Sequence, residues 1–280
     1  MRDLSRLRVG RGSGWQRIDH LPSALDHLQS VVERIGARKP IFLLDFDGTL
    51  APIVEDRLEA ALPTQTRDVI ADLASRRLVA IVSGRDLDDL RERVGLEEVY
   101  YAGSHGFRVA EPGGRLQECE GARRYLPALA EAEEELVREL GAIEGVDVER
   151  KRYAVAVHYR RAPERAQEVH RAVERVQRAH DGLRMAEGRK IEELRPALAW
   201  DKGSAVRWLI GAMGCEASRV FPIYIGDDLT DEDAFRAVEE HGLAIVVRGR
   251  EGPTRARYAL GHPDAVREFL ARLDAELDRS

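Results

Sequence analysis

Asp45-Phe46-Asp47-Gly48-Thr49-Leu50 places two carboxylates two residues apart, directly after the apolar run Ile41-Phe42-Leu43-Leu44. The run reads as a buried strand. Alternation along a strand sets Asp45 and Asp47 on one side, and Gly48 lets the chain swing away. Much later, Gly226-Asp227-Asp228-Leu229-Thr230-Asp231-Glu232-Asp233 follows a second apolar run, Val220 to Ile225. Carboxylates from both loops can hold one hard cation such as Mg²⁺, which prefers oxygen ligands and keeps water or phosphate in its other positions. One carboxylate is then left to attack phosphorus. A pair of solvated acidic turns is the bland alternative, because Asp and Gly are ordinary turn residues.

These loops need a scaffold, and the flanking pattern supplies one. Ser23 to Ile35 reads as an amphipathic helix stopped by Gly36. The first strand then enters the Asp45 loop. A helix over Thr66 to Arg76, a strand over Leu78 to Val82, a helix over Asp86 to Val94 and a strand over Val99 to Ala102 follow. Strand–helix alternation predicts α/β architecture, a Rossmann-like parallel sheet with helices on both faces. Ligands then bind at the carboxyl edge of the strands, where the Asp45 loop and Ser83-Gly84-Arg85 both fall.

After about Gly114 the pattern changes. Long helices over Arg123 to Leu140 and Pro163 to Ala179 each precede a pair of short strands, 146–148 with 154–158, and 183–186 with 191–194. Helix–strand–strand, repeated, predicts a small α+β module. Trp200-Asp201-Lys202-Gly203 then opens a helix and returns to the first pattern. Strands at 220–225 and 243–247, a helix over Asp231 to Glu240 and a final helix over Pro263 to Leu277 complete it. The expected division is a flexible arm at 1–20, a core at 21–114 and 198–280, and an inserted cap at 115–197.

Composition narrows the function classes. Of 280 residues, 44% are hydrophobic, enough for a real core, and 34% are charged. Net charge is −6 with bases scattered among acids, which argues against a nucleic-acid partner. The two cysteines, Cys119 and Cys215, have no metal-ligand spacing, so a reducing, cytoplasmic setting is expected. No apolar run approaches a membrane span, and the first residues lack the apolar centre of a secretory signal.

The DxDGT loop, Ser83 at a strand end, Lys202 and the GDD-type loop stand in the order that defines the haloacid dehalogenase superfamily of phosphohydrolases, and the chain resembles that superfamily. Asp45 is then the nucleophile and Asp47 the general acid and base. The resemblance implies Mg²⁺ held by the Asp45 side chain, the Asp47 carbonyl and Asp227, with Asp228 and Asp231 behind them or acting through water. Thr230 is open between capping the helix beginning at Asp231 and a catalytic role. Ser83, the backbone at Gly84 and Lys202 can grip phosphoryl oxygens. Arg85 is open between a phosphate contact and a surface pair.

A narrower resemblance covers residues 41 to about 250. Gly103-Ser104-His105-Gly106, Glu149-Arg150-Lys151 with Val157-His158-Tyr159-Arg160, and Gly188-Arg189-Lys190-Ile191-Glu192-Glu193-Leu194-Arg195-Pro196 resemble segments of the trehalose-6-phosphate phosphatases. That likeness implies a C2-type cap reading the sugar through Glu149, Lys151 and Glu193, with Arg189 and His105 as further contacts. Phe107-Arg108 depart from the small residue and Glu usual there, and Arg189 stands where Lys is common. The expected reaction is Mg²⁺-dependent hydrolysis of trehalose 6-phosphate, through an aspartyl phosphate, by a monomer supplied by a synthase. A sucrose-phosphate or mannosyl-3-phosphoglycerate phosphatase, a phosphosugar mutase and a non-catalytic sugar-phosphate sensor are the alternatives. Cap closure is expected to hinge near Gly113-Gly114 and near Pro196 to Trp200.

Overall fold

The computed structural model describes residues 14–54, 59–188, 190–214 and 216–279. The chain divides into two units, Met1–Leu116 with Trp200–Ser280, and Gln117–Ala199. In chain order the first unit contains β1 (Gln16–Arg17), α1 (Leu28–Ile35), β2 (Lys39–Asp45), α2 (Thr64–Ala74), β3 (Leu78–Val82), α3 (Leu87–Val94), β4 (Tyr100–Gly103) and β5 (Arg108–Ala110). At β6 (Leu116–Glu118) the chain passes into the second unit, which contains α4 (Leu126–Leu140), β7 (Asp147–Lys151), β8 (Ala154–His158), α5 (Ala166–Ala179), β9 (Leu183–Gly188) and β10 (Ile191–Pro196). The first unit resumes with α6 (Lys202–Ala212), β11 (Val220–Gly226), α7 (Glu232–Val238), β12 (Leu243–Val247), β13 (Pro253–Thr254), β14 (Tyr258–Leu260) and α8 (Pro263–Leu277).

The first unit is built on a sheet in the order β14-β12-β11-β2-β3-β4-β5-β6. It is parallel from β14 to β4 and antiparallel at β4–β5. Because successive side chains point to opposite faces, its central strands sort their residues by parity. Phe42, Leu44, Val79, Ile81, Ile223 and Ile225 join one core layer, packed with α1, α2, α3 and α8. Leu43, Ala80, Val82, Tyr224, Ala244 and Val246 join the other, packed with α6 and α7. Asp45 shares the parity of Leu43, so its side chain projects toward α6 and α7.

The starts of those two helices are held close together. Asp201 caps α6, its Oδ1 accepting from Ser204 N at 2.7 Å and Ser204 Oγ at 2.9 Å. Lys202 is therefore the first helical residue. A Cβ on Gly203 would collide with the backbone carbonyl of Asp233, so only glycine lets the first turn of α6 lie against α7.

In the second unit the sheet order is β7-β8-β10-β9, antiparallel throughout. Val155, Val157 and Leu194 face α4 and α5, packing with Leu129, Leu136, Val169 and Val173. Alternation carries Glu149, Lys151, Ala154, Ala156, His158, Glu193 and Arg195 to the other face.

Several sequence expectations change. Helix α1 begins at Leu28 rather than Ser23, because the preceding residues pair with the sheet edge. Ala24 N donates to Ala259 O at 3.0 Å, and Ala259 N to Pro22 O at 2.9 Å. Part of the segment expected as an arm over 1–20 is paired and packed. Residues 1–13 lie outside the described residues, whereas Gln16–Arg17 pairs with Pro253–Thr254 and Ile18 is buried. The turn Leu229–Asp231 is closed by a capping box between Asp228 and Asp231, so Thr230 is not the cap.

Gly203→Ala should destabilise the protein by about 1–3 kcal/mol, as overpacking at a fixed backbone contact does. Chemical denaturation with an unshifted midpoint would contradict the close approach of α6 and α7.

Candidate active site

The carboxyl ends of β2, β3 and β11 bring three sequence-distant segments to one edge of the sheet. Asp45 ends β2, Ser83 follows β3, and Asp227 follows β11. Gly48, at φ +83°, makes the meeting of the two acidic loops possible: a Cβ there would collide with the Asp227 carboxylate.

A buried ion network sits at the centre. Lys202 Nζ donates to Asp45 Oδ1 and to Asp231 Oδ1, each at 2.7 Å. Tyr224 OH donates to the same Asp231 oxygen at 2.7 Å. The backbone N–H groups of Asp227 and Asp228 donate to Asp231 Oδ2 at 3.1 and 2.9 Å. Asp231 is thus pinned on both oxygens and fully buried. Its role is to fix the Lys202 ammonium beside Asp45 and to shape the Asp227 turn.

One ammonium does not balance this much negative charge. Ligand oxygens of Asp45, Asp227 and Asp231 lie within 4.8 Å of one another, and all three residues are buried. Burial pushes the Asp45 carboxyl up to about 8, with Asp231 and Asp47 adding to the effect and Lys202 opposing it. Burial likewise pushes Asp227 up to about 9, reinforced by Asp45 and Asp231. Burial works against the Lys202 ammonium, but Asp231 and Asp45 outweigh it and hold its pKa well above the ordinary value. An all-oxygen cluster with excess negative charge fits a hard divalent cation.

Asp47 is oriented differently from Asp45. Arg85 grips it with a two-pronged fork, Nη2 to Oδ1 at 2.7 Å and Nε to Oδ2 at 2.8 Å. Arg85 also donates to Asp89 Oδ2 at 3.0 Å, and Asp89 accepts from Arg93 at 2.8 Å. Arg85 is therefore a half-buried holder of Asp47 rather than a surface pair. Ser83 is buried, and its Oγ accepts from Arg85 N at 3.2 Å. The next turn locks onto this one: Ser83 O accepts from His105 N at 2.9 Å, and Arg85 O from Ser104 N at 2.6 Å. The His105 ring lies against Gly84, where a Cβ would stand 2.6 Å from Nε2. Ser104 and His105 both hold positive φ, 51° and 56°, a conformation unusual for residues with side chains. Phe107, which departs from the family pattern, is buried and packs on Trp200, with ring centroids 6.3 Å apart.

Three of the sugar-contact candidates share one face of the second unit's sheet. Lys151 Nζ donates to Glu193 Oε1 at 2.6 Å, and His158 Nε2 lies 2.9 Å from Glu149 Oε2. Arg189, also expected at the substrate, lies outside the described residues. Sequence reasoning missed Tyr224 and Asp201. The first is hidden inside an apolar strand. The second could have been found as an Asp one residue before a helix-starting Lys.

The geometry stands beside clear likenesses to known proteins. A family model described as trehalose-phosphatase matches residues 43–264. A trehalose-phosphate phosphatase of Mycobacterium marinum is 44% identical, over 98% of this chain and 71% of its own length. The crystal structure of a trehalose-6-phosphate phosphatase related protein superposes with a TM-score of 0.75 at 26% identity, covering 86% of this chain and all of that one. For the fold alone, a haloacid dehalogenase-like hydrolase from Bacteroides thetaiotaomicron superposes with a TM-score of 0.62 at 14% identity, covering 84% of this chain and all of that one. No helix among the described residues is long and apolar enough to cross a membrane.

The raised carboxyls set a pH dependence. Their folded pKa values, about 8 and about 9, lie above the ordinary 3.8, so their contribution to stability is full below 3.8 and is lost as pH rises through those values. A divalent cation should reverse that loss by neutralising the carboxylates in place of the protons. Titration of the metal-free protein with Mg²⁺ at neutral pH should release protons, giving calorimetric heats that depend on the buffer's ionisation enthalpy. Buffer-independent heats would contradict the protonated cluster.

Proposed function

This chain belongs to the trehalose-phosphatase family, and from that premise we propose how it hydrolyses trehalose 6-phosphate to trehalose and phosphate. It is a phosphatase, and its family implies a divalent metal. The observation that carries the mechanism is the position of Asp45 at the strand edge, with one oxygen tied to Lys202 and ligand oxygens of Asp227 and Asp231 within 4.8 Å.

Asp45 attacks phosphorus. A bond forms between its carboxylate oxygen and phosphorus while the bond to the sugar oxygen breaks, leaving an aspartyl phosphate. Asp47, held by Arg85, delivers a proton to the departing sugar oxygen. It then takes a proton from the water that attacks the aspartyl phosphate, which frees Asp45 and releases phosphate. Lys202, Ser83 and the backbone at Gly84 and Arg85 hold the phosphoryl oxygens. Asp45, the Asp47 carbonyl and Asp227 are the groups for Mg²⁺, with Asp228 and Asp231 supporting them. When bound, the ion would neutralise charge on the phosphoryl group and relieve its repulsion from Asp45.

The disaccharide is read by Glu149, Lys151 and Glu193, with Arg189 and His105 as further contacts. Carboxylates and an ammonium suit a ligand rich in hydroxyls, since each can make several hydrogen bonds. The same reading places the enzyme in the cytoplasm as a monomer, downstream of a synthase that makes the phosphate ester.

Phosphate release from trehalose 6-phosphate should exceed that from glucose 6-phosphate, sucrose 6-phosphate and mannosyl-3-phosphoglycerate, and should require Mg²⁺. Asp45→Asn should lower turnover by about a thousandfold or more. Preference for another sugar phosphate would keep the chemistry and overturn the reading of the sugar site. Wild-type protein without turnover on any of them would overturn the enzyme mechanism.

A further inference from the structure

Glu193 is held more tightly than a sugar contact alone requires. Its side chain is 5% exposed, and both carboxylate oxygens are engaged. Lys151 Nζ reaches Oε1 at 2.6 Å, and Arg195 Nε reaches Oε2 at 2.7 Å, with Arg195 Nη2 on the same oxygen. Lys151 and Arg195 are each only 12% exposed.

The register shows how the sheet makes this possible. Lys151 lies on β7 and Glu193 on β10, and β8 runs between them. Glu193 is paired with Ala156, and Lys151 with Ala154. The Lys151–Glu193 bridge therefore crosses a strand whose residues on that face, Ala154 and Ala156, are small. Two strand spacings amount to roughly 10 Å, within the combined reach of the two long side chains only over such a gap. An ammonium at the end of a four-carbon stem cannot by itself fix the plane of the carboxylate it meets. Arg195, two residues along the same strand and on the same face, can do so with its rigid planar group.

Arg195 stands opposite Arg184 across the β9–β10 pair, and like charges directly opposite are unfavourable. Its bond to Glu193 offsets that repulsion.

We propose that Arg195 is a positioning residue for sugar recognition: it locks the Glu193 carboxylate, and through it the Lys151 ammonium, in the orientation that reads the hydroxyls of the substrate. This rests on the assignment of Glu193 and Lys151 to the sugar. Without Arg195 the planar fork on Oε2 is lost, and the carboxylate meets the sugar in more than one orientation.

The test is a specificity ratio: kcat/KM for trehalose 6-phosphate divided by kcat/KM for p-nitrophenyl phosphate, which carries no sugar. In Arg195→Gln this ratio should fall about tenfold or more, the size expected for a charged hydrogen bond, and the fall should lie mainly in KM for the sugar phosphate. Arg195→Lys keeps the charge without the planar fork and should recover part of the loss. An unchanged ratio in Arg195→Gln, from no effect or from equal losses on both substrates, would overturn the proposal. Wild-type protein that prefers a different sugar phosphate would instead overturn the substrate assignment. The ratio measured with that preferred sugar phosphate would still decide the role of Arg195.

Discussion

The Lys202 ammonium, buried between Asp45 and Asp231, is the interaction on which the site depends. A charge removed from water needs close partners, and Lys202 has two carboxylates at 2.7 Å. Breaking one side would strand a buried charge, a change of several kcal/mol in comparable cases. That penalty holds the ends of β2, α6 and α7 in one arrangement. It also keeps Asp45 beside a permanent cation, which the proposed attack of a carboxylate on a phosphate requires. Tyr224 and two backbone N–H groups complete the coordination of Asp231, so no part of the network can rotate freely.

The fold can be read outward from that network. Asp45 projects to the α6–α7 side because it shares the parity of Leu43. Lys202 meets it because Asp201 fixes where α6 starts, and Gly203 lets α6 approach α7. Asp227 meets it because Gly48 leaves room for the Asp227 carboxylate. Arg85 governs the second carboxylate, so Asp45 and Asp47, two residues apart, have separate cationic partners. Separate partners suit the separate tasks proposed for them, Asp45 to form a bond to phosphorus and Asp47 to move protons.

Much of this was legible in the sequence because its signals are local. Strong periodicity placed β3, β8, β12 and α8 at their observed limits, Leu78–Val82, Ala154–His158, Leu243–Val247 and Pro263–Leu277. Elements of two or three residues, such as Gln16–Arg17, Pro253–Thr254 and Tyr258–Leu260, are too short to show a period. The start of α1 shifts to Leu28 because, although Leu25 continues the helical stripe, residues 22–24 are recruited to β14 by pairing with Ala259. The acidic loops, Ser83 and Lys202 were found from motif and order. The Arg85–Asp47 fork joins residues 38 apart, and nothing local announces it. Tyr224 looked like core because most of it is core, with only its hydroxyl serving Asp231.

The proposed chemistry turns on phosphorylation of Asp45 itself. The direct measurement is acid quenching of the enzyme during turnover of trehalose 6-phosphate labelled at phosphorus, followed by peptide mapping. Hydroxylamine-sensitive label is expected on the peptide containing Asp45, at that residue, and none in Asp45→Asn. Label on another residue, or rapid turnover in Asp45→Asn, would contradict that chemistry.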